Sequence, residues 1–109
     1  AGFSNSVRGF IIGGSSPRTD TIQYVTIATG GNSQDFGNLS VAKEGICSGN
    51  AANHVRGFSA GGAISPAGTK KIEYITIATK GNSQDFGDMS DQRGYGCALS
   101  DSHGGLGGY

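Results

Sequence analysis

The chain has 109 residues, room for one ordinary domain at most, yet 21 are glycine and only 35% are hydrophobic; glycine loses the most backbone entropy on folding and brings no side chain to bury. Eight Lys+Arg balance eight Asp+Glu, so there is no basic stripe for a phosphate backbone. No apolar run approaches the ~18 residues that span a bilayer, and neither nucleic acid nor membrane insertion is expected.

In chain order, AGFSNSVRGF at 1–10 lacks the charged-then-apolar pattern of a signal peptide. VRGFIIGG at 7–14 reads as a short strand closed by the pair Gly13-Gly14, which permits close backbone approach. Residues 15–21 read as an outward-facing loop. IQYVTIAT at 22–29 is rich in β-branched and aromatic residues and carries apolar groups on both faces, as a strand between two sheets requires. GNSQDFGN at 31–38 has the composition of a turn around one large ring, Phe36.

The same order then returns. VRGFSAGG at 55–62 ends in Gly61-Gly62, a second loop spans 63–71, IEYITIAT occupies 72–79, and GNSQDFGD surrounds Phe86. Segments 22–40 and 72–90 are identical at 14 of 19 positions. GYGCALS at 94–100 reads as a further short strand, answered loosely by GICS at 45–48. HGGLGGY at the carboxyl end reads as the start of a third copy, and AGFSNS resembles the segment before the second VRGF. No ten-residue stretch carries helical periodicity. A period near 50 with frayed ends signals a repeat architecture: repeat one at about 1–48, repeat two at about 49–97, and a partial third at 98–109.

A strand ending in Gly-Gly, then an aromatic strand, then a second large ring resembles the kelch-type β-propeller repeat. Gly13, Gly14, Gly61 and Gly62 match its glycine pair, Tyr24 and Tyr74 its first aromatic, and Phe36 and Phe86 stand where tryptophan is expected. The phrase IEYITIAT-x-GN-x-x-DFGD is similar to tandem repeats in large proteins of marine bacteriophages and metagenomic sequences, taken to be virion- or tail-associated. The resemblance implies an all-β fold of two four-stranded, kelch-like blades plus partial blade segments at the termini. Two blades do not close a propeller, so the chain is expected either to assemble with further copies, as a closed ring or an open filament with the partial repeats at the termini exchanged between neighbours, or to be a segment of a longer polypeptide.

Other constellations have plainer readings. DFG at 35–37 and 85–87 lacks the remaining kinase elements and reads as an Asp capping a turn beside a packed Phe. Arg8 and Arg56 are expected to pair with Asp35 and Asp85 as registry ion pairs between strands. Cys47 and Cys97 read as free, buried, small residues, and His54 and His103 as solvated loop histidines. Asn32, Asn82, Asp35, Asp85 and Asp88 hold too few carboxylates for an EF-hand. Asn38 heads the single glycosylation sequon and reads as a turn asparagine.

The expectation is therefore a non-catalytic structural repeat module of a phage virion, tail fibre or extracellular filament. It needs no cofactor or metal, and its partners are copies of itself. The alternative is a glycan-binding module that attaches to surface glycans and gains avidity from repetition. A copper oxidase on the same scaffold would need a His and Tyr cluster that two loop histidines do not supply.

Overall fold

The computed structural model describes residues 1–46, 51–64 and 68–100. All of its regular structure is β: β1 (Gly2–Ser4), β2 (Arg8–Ile12), β3 (Thr19–Thr26), β4 (Gln34–Lys43), β5 (Arg56–Ala60), β6 (Thr69–Thr76) and β7 (Gln84–Arg93). The strands form two antiparallel sheets, ordered β1-β2-β3-β4 and β5-β6-β7.

The sequence repeat is also a register repeat. Phe10 faces Tyr24 across β2 and β3, as Phe58 faces Tyr74 across β5 and β6. Ile22 faces Gly37 and Gln23 faces Asp35, as Ile72 faces Gly87 and Glu73 faces Asp85. A register shift falls at the same two places in each copy. One of these β-bulges lies beside Phe36 and lets Phe36 and Leu39, three apart, both be buried.

The glycine pairs do the same work in both sheets. Gly13 and Gly61 have φ near +60° (61° and 64°), a left-handed conformation that costs glycine little. The chain leaving β2 thereby folds over its neighbours: Gly13 N–H donates to Thr21 O and Gly14 N–H to Lys43 O. Gly61 and Gly62 repeat these bonds to Lys71 and Arg93. A Cβ on Gly13 would come within 2.7 Å of the Lys43 carbonyl.

Three strand expectations need correction. QDFGN, the second part of the segment GNSQDFGN read as a turn, is the start of the ten-residue β4, and its counterpart QDFGD starts β7. The turn ends at GNS, and Gly37 marks a bulge in a strand. GYGCALS forms no named strand, because Tyr95 takes φ 60° and breaks the extended run. Instead the extra strand comes from the amino end, where Phe3 pairs with Phe10 and stacks on it at 5.2 Å. In the second copy this strand is reduced to a bridge between Ala52 and Gly57, since Ala51 stands where Phe3 would be. The sheets therefore have four and three strands, and residues 1–4 complete their own sheet. Residues 19–21 and 69–71, read as loop, lie in β3 and β6. The third-copy segment HGGLGGY lies outside the described residues.

Candidate functional site

Strand alternation gives each sheet two faces. The front carries Phe10, Ile12, Ile22, Tyr24, Phe36 and Leu39 in the first sheet; the corresponding residues of the second are Phe58, Ala60, Ile72, Tyr74, Phe86 and Met89. The back carries Gly9, Ile11, Gln23 and Val25 in the first sheet, and Gly57, Ser59, Glu73 and Ile75 in the second. Burial shows which faces meet. The core joins the first sheet's front residues to Ile75 and Ile77 of the second, so the front of the first sheet packs on the back of the second.

Backbone and side chains fix this junction at several points. Gly81 N–H donates to Phe36 O (3.0 Å), Ser83 N–H to Asn38 O (2.9 Å), and Asn38 N–H to Asn82 Oδ1 (3.0 Å). Arg8 reaches across to donate to Ile77 O at 2.7 Å. The approach is close enough that a Cβ on Gly37 would collide with the Gly81 carbonyl, and one on Gly57 with the Phe3 ring.

At its centre lies a buried ion pair. Lys43 Nζ of the first sheet donates to Glu73 Oε2 of the second at 2.8 Å, with the residues 0% and 1% exposed. Burial alone would raise the Glu73 carboxyl. Hydrogen bonds from Lys43, Ser83 Oγ and Ser40 N–H, with the Lys43 charge, outweigh that and bring it down from 4.5 to about 2. A charge pair can be kept in such a place only when its remaining lone pairs are satisfied.

Among the described residues, nothing covers the outer faces in this way. Phe36 is 3% exposed, whereas its counterpart Phe86 is 55% exposed. Yet the exposed face holds the same geometry as the buried one. Phe10 meets Phe36 edge-on at 5.0 Å, and Phe58 meets Phe86 edge-on at 5.1 Å. Arg8 lies 4.7 Å over the Tyr24 ring and Arg56 4.6 Å over Tyr74. Tyr24 and Tyr74 donate to Gln34 and Gln84. On the opposite side of the molecule, Ile11 and Ile27 are 55% and 53% exposed, and a shallow groove of about 380 Å³ runs over Gly9 and Val25.

The expected registry ion pairs are corrected by this arrangement. The ion pairs among the described residues are Arg18–Glu44 and Lys43–Glu73. Arg8 and Arg56 cover tyrosine rings, while Asp35 and Asp85 sit exposed across from Gln23 and Glu73. Cys97, read as buried, is exposed and free; Cys47 and His103 lie outside the described residues. His54 sits exposed in a turn, its carbonyl accepting from Asn5. Among the described residues no three His, Cys, Asp or Glu gather as a metal-holding group.

No protein-family model matches the chain, and no curated protein matches its sequence.

Proposed function

We propose that the chain is a structural, non-catalytic repeat module that assembles through the faces of its sheets, as part of a phage virion, tail fibre or extracellular filament. Each sheet would correspond to one kelch-like blade. The observation that carries this reading is the contrast between Phe36 and Phe86, 3% and 55% exposed in otherwise matching aromatic clusters. A face organised as an interior but left open to water is an association surface in waiting. Burying it recovers apolar area at about 25 cal/mol per Å², with little further ordering needed because the rings already hold their packed geometry.

The same rings could instead stack on sugars in a glycan-binding module. Matching the interior cluster ring for ring favours protein as the partner. Native mass measurement with electron microscopy tests the assignment. Multiples of the 11.0 kDa chain should appear and lengthen as concentration rises. A monomer at every concentration would overturn it.

A further inference from the structure

Resting on that reading, we propose that a second copy of this chain seats its first sheet's back face on the open front of the second sheet, in the register already used within the chain. The partner is thus another molecule of the same protein, joined head to tail.

The internal junction is the template. Shifting each contact by one repeat gives the junction between molecules, and the required groups are in place. Phe86 O would accept from Gly31 N–H of the next copy, as Phe36 O accepts from Gly81. Asp88 N–H would donate to Asn32 Oδ1, as Asn38 donates to Asn82. Arg56 would reach Ile27 O, as Arg8 reaches Ile77. Gly87, unlike Gly37, has nothing within 4 Å of where a Cβ would stand; its missing side chain leaves space for the Gly31 backbone. Gln23 is preset as well. Ser33 Oγ donates to Gln23 Oε1 at 2.6 Å, matching the Ser83–Glu73 bond at 2.6 Å.

The copies differ where strength is decided. Lys43–Glu73 becomes Arg93–Gln23, a cation facing a neutral amide, and the Phe3 ring over Gly57 becomes Ala51 over Gly9. The junction between molecules is therefore weaker than the one within, and reversible. Front and back are unlike surfaces, so the contact is heterologous: it runs on copy by copy, closing into a ring if its rotation allows and otherwise continuing as a filament.

Sedimentation of two singly blocked variants tests this. Ile27→Lys charges the back and Phe86→Lys charges the front, both at exposed positions. Each alone should stay monomeric, and an equimolar mixture should stop at one heterodimer, its free ends both blocked. Gln23→Glu, which gives Arg93 a carboxylate, should tighten wild-type assembly roughly tenfold or more. Self-dimerisation of Ile27→Lys, a mixture that fails to pair while wild type assembles, or no gain from Gln23→Glu would overturn the head-to-tail register and leave the assembly reading standing. Wild type that never associates would sink the assembly reading itself.

Discussion

Lys43 and Glu73 are among the largest fully buried side chains, in a molecule short of large apolar ones. The pair sits at the centre of the inter-sheet junction, and its Glu73 carboxylate also accepts the Ser40 and Ser83 donors, so it fixes register as well as filling space. Its carboxyl titrates at about 2 when folded and near 4.5 when unfolded. The unfolded state therefore binds the proton first as pH falls. The stabilisation is complete above pH 4.5 and drains away towards pH 2, and the interval corresponds to about 3 kcal/mol. The melting temperature of the wild type should fall steeply between pH 5 and 2.5. Glu73→Gln should melt lower at pH 7, by roughly 3–5 kcal/mol of stability because Lys43 loses its partner, and should show a much flatter acid limb. An acid limb equal to the wild type's would assign the effect to the exposed aspartates. The pair was hard to read from sequence because its members lie in different repeats. One signal was present: Gln23 becomes Glu73 in a segment that otherwise barely changes.

At the scale of strands, β2, β3, β5 and β6 were legible because β-branched and aromatic residues cluster there without interruption. β4 and β7 were hidden by glycine, asparagine and aspartate, which suit turns and bulges equally. The alternation of Leu39 and Val41 with the polar Asn38 and Ser40 was the signal that a strand continued. β1 is three residues long and rests on one ring, too little for a pattern. The two aromatic clusters offer a matched experiment in dilute solution. Phe36→Ala should cost about 3–5 kcal/mol by chemical denaturation, as burial of that ring requires. Phe86→Ala, half solvated, should cost under about 1 kcal/mol while abolishing association. Equal losses would mean that Phe86 already supports the fold of the single chain.

For the whole molecule, a radius of gyration of 13.0 Å matches that of a compact domain of about 100 residues. Two sheets stacked front to back thus enclose one interior and present two unlike outer surfaces. The repeat, legible in the sequence, foretold equivalent halves; which face each half would bury was not legible, because Phe36 and Phe86 stand in identical phrases. Only the stacking order distinguishes them. Hydrogen exchange at the Gly31 and Asp88 amides, followed from dilute to concentrated solution, tests that order most directly. Protection at both should rise together with concentration, towards that of Gly81 and Asn38, which are bonded across the internal junction. Rates at Gly31 and Asp88 that stay constant while the protein associates would contradict the account.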